Sequence, residues 1–500
     1  MFYEVFVRSF ADSDDDGSGD LRGLIGHLDH LNDGDPSTTA DLGVTGLWLM
    51  PTFPSPSYHG YDVTDYRSVN PDYGSLADMR ALVRDAHQRG IAVILDLPLN
   101  HTSDQDPWFR DSRKPGSAHA DWYVWANEPG GSGWAADGKR YYYAGFGPGF
   151  PELNLREPAV TAELTRDARF WLEDVGVDGF RLDAAKHLIE DGPVTENTPA
   201  THAWLHDLRT TLGETRPGTL LLGEVWDTSK ISASYVPDAL DMTFDFGLAT
   251  AYVSTVQGGQ AWSLQRALTN TTGLYPAGGF GAFLTNHDMD RVASQLGGDA
   301  AKMRLAAELL LTGPGVPFVY YGEEIGMTGA KPDEQIRTPM RWDSSLPAAG
   351  FSQSTPWEPL SSDGRPVDVA DQTSDASSLL SLYRDLIRLR GAHPALAGGS
   401  LVPVTTAAPS LVATLRSLPG ETDLVIANVG ATPVSDYTLD LGAGPLCGRP
   451  AATALFGLPA GDGPDTTPTA PAVSADGGFS GYRPLATLPA RSVAVIQLAP

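Results

Sequence analysis

Cysteine is nearly missing: Cys447 is the only one in 500 residues, so no disulfide can form within the chain. The redox compartment stays open for the same reason. Basic residues are scarce too, with 34 Lys and Arg against 62 Asp and Glu and a net charge of −28. That field repels nucleic acid and anionic lipid and suits a neutral substrate. No apolar run reaches the ~18 residues that a membrane span needs. The opening MFYEVFVRSF lacks a basic segment followed by an apolar one. A signal peptide is therefore expected to be absent or already removed, with an extracellular setting favoured over a cytoplasmic one. There is no Walker sequence, no G-x-G-x-x-G after a strand and no G-x-S-x-G around a plausible serine. Those absences argue against nucleotide and serine-hydrolase chemistry, and no organic cofactor is expected. Internal repeats are absent, and a monomer is the expectation.

What is present is a globular composition, 41% hydrophobic and 19% charged, on a chain long enough for two or three domains. Strand-like and helix-like segments alternate from residue 43 to about 320. Strands are expected at 43–50, 91–99, 177–182, 219–225, 281–286 and 316–321, with FYEVFVRSF in front and a weaker one at 241–246. Helices are expected at 75–89, capped by Ser75 and ended by Gly90, and at 158–175, with Pro158 in the first turn and Gly176 after the end. Eight continuous apolar strands separated by helices predict a (β/α)₈ TIM barrel, an α/β fold. Residues 101–156 break the pattern with Gly, Trp, Tyr and Pro and read as a small domain inserted after strand three. From 396 to 500, LVATLRSL, DLVIANV and RSVAVIQLA read as strands of an antiparallel β-sandwich. The barrel domain would then comprise 1–100 and 157–395, and 459–472 would be low-complexity loop.

In such a barrel, chemistry sits at the C-terminal ends of the strands. Asp96, Asp183, Glu224, Asp288, Glu323 and Glu324 all fall there, beside His101 and His287. Any one of them could be an ordinary helix cap. Together, with Arg181 two residues from Asp183 and on the same side of the strand, they point to glycoside hydrolysis. That reaction needs one acid to protonate the leaving oxygen and one carboxylate to attack or to activate water. Two-metal hydrolysis, the rival, would cluster His and Asp as ligands, and these histidines are not so placed.

At these residues the sequence resembles the alpha-amylase family, glycoside hydrolase family 13. DLPLNH (96–101), GFRLDAAKH (179–187), GEVW (223–226) and FLTNHD (283–288) are similar to its four main motifs, in order. GVTGLWLMP (43–51), PELN (151–154) and GEEIGM (322–327) are similar to three more. The resemblance implies Asp183 as nucleophile, Glu224 as general acid/base and Asp288 as the carboxylate that stabilises the transition state. Arg181 would steady the nucleophile's charge, and His101 and His287 would hydrogen-bond the sugar being cleaved. Tyr61 would be a stacking platform, Asp62 an acceptor for sugar hydroxyls, and Arg337 the partner of Asp62. Lys186 and His187 would sit on the leaving-group side. RTPMRWD resembles the oligo-1,6-glucosidase and alpha-glucosidase branch, AAKH and GEVWD the true alpha-amylases, and PELN a group between them, with Glu152 where Asp is usual. Ala184, where 1,6-specific relatives tend to carry Val, favours 1,4 bonds. The implied substrate is an α-glucan or maltooligosaccharide. An exo-acting glucosidase, a transglucosylase and a non-catalytic carbohydrate-binding barrel are the alternatives.

DSDDDGSGD (12–20) spaces Asp12, Asp14, Asp16, Ser18 and Asp20 at alternate positions, with Gly17 sixth. This matches the start of an EF-hand loop and predicts a structural Ca²⁺ site, although position twelve is Gly23 rather than Glu. An acidic surface turn is the alternative. Asn100 matches a calcium ligand of other amylases, but its partners in the inserted domain are not recognisable from sequence.

Overall fold

The computed structural model describes residues 1–361, 367–458 and 466–499. Eight parallel strands close into a barrel. They are Phe2–Val5, Gly46–Leu49, Ala92–Pro98, Gly179–Asp183, Leu220–Gly223, Met242–Phe244, Phe280–Ala282 and Val316–Tyr320. Each pairs with the next in sequence, and the eighth closes on the first, with Phe2 opposite Phe318. The third strand, AVILDLP, is buried at every position but its first, as expected where helices cover a parallel sheet. Inside the barrel, Trp48, Ile94, Leu222, Phe244, Phe283 and Phe318 pack as a plug, so the chemistry can only sit above them. The seventh strand ends at Ala282, earlier than its sequence suggests, and Asp288 lies on the loop beyond it.

Local signals place the helices. Ser75 caps Leu76–Gln88 through a capping box with Asp78, which closes two otherwise free amides at the helix start. The helix from Pro158 is α-helical to Phe170 and finishes as a π turn, Trp171–Val175, before Gly176 at φ 95°.

Between the third and fourth barrel strands, Trp125–Ala126, Trp134–Asp137 and Arg140–Tyr143 form a small antiparallel sheet. Its core is aromatic: Phe109 lies 5.0 Å from Tyr123, 5.6 Å from Trp125 and 4.9 Å from Tyr142. Beyond the barrel come a five-stranded antiparallel sheet and a two-stranded one. Leu411–Leu418, Glu421–Asn428 and Ser492–Ala499 are the long strands of the larger sheet, with a core of their own that includes Leu415, Leu424 and Ile496. Residues 459–465 of the low-complexity stretch lie outside the described residues.

Candidate active site

Alternation along neighbouring strands decides what meets at the barrel mouth. The register sets Asp96 of the third strand opposite Arg181 of the fourth. Nη1 of the fully buried Arg181 donates to Asp96 at 2.9 and 3.1 Å and to Asp183 Oδ1 at 2.6 Å. Its Nη2 stands 2.8 Å from Glu224 Oε2. That contact lacks hydrogen-bond alignment, and the same oxygen accepts from the Ala184 amide at 3.0 Å. Ala184 holds a left-handed conformation, φ 47°, between the two acids. Burial pushes the Glu224 carboxyl above its usual range; Arg181 pulls the other way, and Asp183 and Asp288 add to the rise.

Asp288 is set in the opposite sense. Its Oδ2 lies 3.1 Å from His287 Nε2 and its Oδ1 accepts from Arg337 at 2.9 Å. Burial would raise it, but these two cations hold it well below the usual carboxylate range. His287 in turn donates from Nδ1 to Glu4 at 2.5 Å. Burial alone would neutralise this imidazole; Asp288 and Glu4 instead push it up to about 10. His101 has the other fate. Burial lowers it to about 4, its Nδ1 meets Asn100 Oδ1 at 3.1 Å, and its buried Nε2 has no hydrogen-bond partner.

Tyr61 joins the two halves. Its ring stacks on His287 at 5.7 Å, and its hydroxyl lies 2.7 Å from His287 Nε2 and 3.1 Å from Asp96. Asp62 is held by the hydroxyls of Ser55, at 2.5 Å, and Ser57. The expected Arg337–Asp62 pair is not formed. Arg337 binds Asp288 and, at 3.2 Å, Asp333, while the imidazole of His59 is 4.0 Å from Asp62. The reason is positional: Asp333 precedes Arg337 by one helical turn and Arg337 also donates to the His287 carbonyl at 2.9 Å, which aims it at Asp288. Glu323 and Glu324 also leave the group. They accept from Tyr383 and from Tyr3, both at 2.8 Å. Tyr3 points away from the barrel axis, because its neighbour Glu4 points in.

The side around Lys186 and His187 is looser. Lys186 lies 2.6 Å from Glu196 and 3.7 Å from Asp227, and His187 lies 3.7 Å from Glu196. Two exposed aromatics stand here. Phe146 touches His101 and His187 at 5.4 and 5.5 Å, and Trp226 stacks on Phe246 at 4.5 Å. A cavity of about 670 Å³ opens beside His187, lined also by Trp134, Tyr143 and Glu152; the three acids do not line it. Asn100 donates to Glu152 at 3.1 Å and to the His187 carbonyl at 2.7 Å. Burial and then Glu190 push Glu152 up to about 9, so it keeps a proton at neutral pH.

In the acidic loop, Asp12, Asp14 and Asp20 bring ligand atoms within 4.8 Å of one another. Asp16 instead accepts from the Ser18 amide at 2.7 Å, and the Ser18 hydroxyl accepts from Arg8 at 3.0 Å. Glu4, Glu196 and Asp227 escaped the sequence reading, and Asp96 had been given no role. The one signal for Glu4 and Asp96 is an acid inside an otherwise apolar strand, where an unpaired charge would be costly.

Comparison with known proteins agrees with this geometry. Residues 4–399 match the family described as Alpha amylase, catalytic domain. Alpha-amylase 3 of Dictyoglomus thermophilum is 39% identical over 443 residues, covering 86% of this chain and 84% of that one. Trehalose synthase/amylase TreS of Mycobacterium tuberculosis is 34% identical, covering 87% and 82%. The crystal structure of an alpha-amylase from H. orenii superposes with a TM-score of 0.84 at 39% identity, covering 100% of this chain and 99% of that one.

Proposed function

The chain belongs to the alpha-amylase family of glycoside hydrolases, and from that footing we propose that it is a retaining enzyme cleaving α-1,4-glucosidic bonds in starch, maltodextrins or maltooligosaccharides. Asp183 attacks the anomeric carbon while Glu224 protonates the leaving oxygen. Glu224 then takes a proton from the water that releases the glucosyl group from Asp183. The observation that carries this reading is the single guanidinium of Arg181 between the two acids. Carboxyls on adjacent nitrogens of one guanidinium support the ~5–5.5 Å spacing of a retaining pair over the ~6.5–9.5 Å of an inverting one. The raised Glu224 suits an acid that must hold its proton, and the lowered Asp288 suits a charge that must persist beside a developing oxocarbenium ion.

Bond choice rests on Ala184 and on the polar pair Lys186 and His187. Chromatography of products from starch, maltose, isomaltose and panose tests it. Maltooligosaccharides should be cleaved at least ~10-fold faster than isomaltooligosaccharides, about 1.4 kcal/mol of differential binding. Isomaltotriose turning over as fast as maltotriose would move the enzyme to the 1,6-glucosidase side. The trehalose synthase/amylase relative supports a second reading, transfer of the glucosyl group to a sugar instead of water. New disaccharides appearing from maltose in the same chromatogram would favour it.

The acidic loop suits a structural calcium ion. Its donor set is all oxygen, which matches a hard cation, and Asp12, Asp14 and Asp20 already converge. Burial, then Asp16, Asp20 and Asp12, push Asp14 above its usual range, a repulsion that a bound cation would relieve.

A further inference from the structure

We propose that His393, Glu421 and Asp423 form a second metal site, for a divalent transition-metal cation, where the barrel meets the C-terminal sheet. His393 follows the last long barrel helix, Leu379–Ala392, and Glu421 opens the strand Glu421–Asn428. Glu421 and Asp423 are two residues apart, so the strand turns both toward the same side. One ligand atom from each of the three lies within 4.8 Å of the others.

A second feature of the site points to a cation. Asp423 is 0% exposed, and neither of its carboxylate oxygens has a hydrogen-bond partner. A buried charge without partners is costly and is rarely left so. Arg416 sits opposite it in the strand register but turns away, donating to the carbonyls of Thr312 at 3.3 Å and Gly399 at 3.0 Å. The Nε of Arg416 is unpartnered as well. A cation among the three side chains would meet the need of Asp423 directly.

The donor set names the class of ion. Two carboxylates with an imidazole suit zinc or its first-row neighbours better than calcium or magnesium, which prefer all-oxygen shells. Glu421 is already oriented for the task. Its Oε2 accepts from the Ala395 amide at 3.0 Å, while Oε1 lies 2.8 Å from His393 Nδ1. Because one ligand comes from the end of a barrel helix and two from the C-terminal sheet, the ion clamps the junction and stabilises the native chain by mass action.

The test uses the full chain, stripped with a chelator and titrated with Zn²⁺ by calorimetry at pH 7.5. Wild type should show one tight site, and Zn²⁺ should raise its Tm. Losing a ligand should cost more than the ~10–100-fold lost with an outer-shell partner, so Asp423→Asn should weaken that site by roughly 100-fold or more. The Tm rise should vanish with it. The substitution is nearly isosteric, and His393→Gln, made separately, should lose the same site. Identical zinc titrations for wild type and Asp423→Asn would overturn the proposal, because the ion would then sit on other histidines or on the acidic loop. No tight binding by wild type would overturn it too.

Discussion

The floor of the candidate active site and the rim around Lys186 and His187 are built in opposite ways. On the floor, Glu4, Asp96, Arg181, His287 and Arg337 are all buried and locked in two ionic groups, joined through the Tyr61 hydroxyl, that end on the three catalytic candidates. On the rim, Lys186 meets a Glu196 that is 43% exposed, and Phe146 and Trp226 are each 46% exposed. Buried pairs cannot lose one partner without stranding a charge, at about 3–5 kcal/mol, whereas exposed pairs are worth at most about 1 kcal/mol. The floor is thus costly to alter, and the rim is not.

The comparison breaks first on the floor. Asp183→Asn should cut kcat by roughly 10³-fold or more, about 4 kcal/mol, in steady-state assays on maltotriose. A variant that keeps more than a tenth of wild-type activity would remove Asp183 as nucleophile. Next is Glu4→Gln, which leaves shape unchanged but removes one of the two anions around His287. A hydrogen bond to a charged group is worth about 1.5–3 kcal/mol, so kcat should fall roughly 10–100-fold at neutral pH. The pH response carries the sign. His287 is raised from 6.5 to about 10, so its contribution to stability is complete below about pH 6.5 and is lost as pH rises through about 10. In the Glu4→Gln variant that loss should begin at lower pH, read as Tm against pH; an unchanged alkaline limb would take His287 out of the network.

The acidic loop follows the strand that bears Glu4, and it tests whether the floor depends on a cation. Adding Ca²⁺ to chelator-stripped wild type should raise its Tm by several degrees, and Asp14→Ala with Asp16→Ala should abolish that rise. Equal melting of stripped wild type with and without Ca²⁺ would leave an acidic turn. The smallest effect belongs to the rim. Glu196→Gln should alter KM for maltooligosaccharides by no more than about fivefold, with kcat little changed, because the Glu196 carboxylate is exposed and screened by water. A loss as large as that of Glu4→Gln would erase the distinction between floor and rim.

How much could be read before the fold was seen follows the same division. Asp183, Glu224, Asp288 and Arg181 were legible because a parallel barrel gathers the ends of its strands, and an acid there is conspicuous. The network beneath them was not. Glu4 and Asp96 lie within apolar strands, and only the barrel's closure brings Glu4 of the first strand against His287 beyond the seventh. Arg337 was matched to Asp62 by motif, but Asp333 one turn away and the His287 carbonyl aim it at Asp288. Glu323 and Glu324 follow the eighth strand as catalytic acids could, yet they turn to tyrosines away from the barrel axis. On the rim, Phe146 lies in a glycine-rich run with no period to show which way its ring faces.

The proposed function requires that Asp183 and Glu224 act as a close pair, so that the anomeric centre is inverted twice, once by Asp183 and once by water from the opposite face, with net retention. Proton NMR of the anomeric signals in the first minutes of maltotetraose hydrolysis tests it most directly. The account predicts that α-anomers appear first and mutarotate slowly to the mixture; β-anomers appearing first would contradict it.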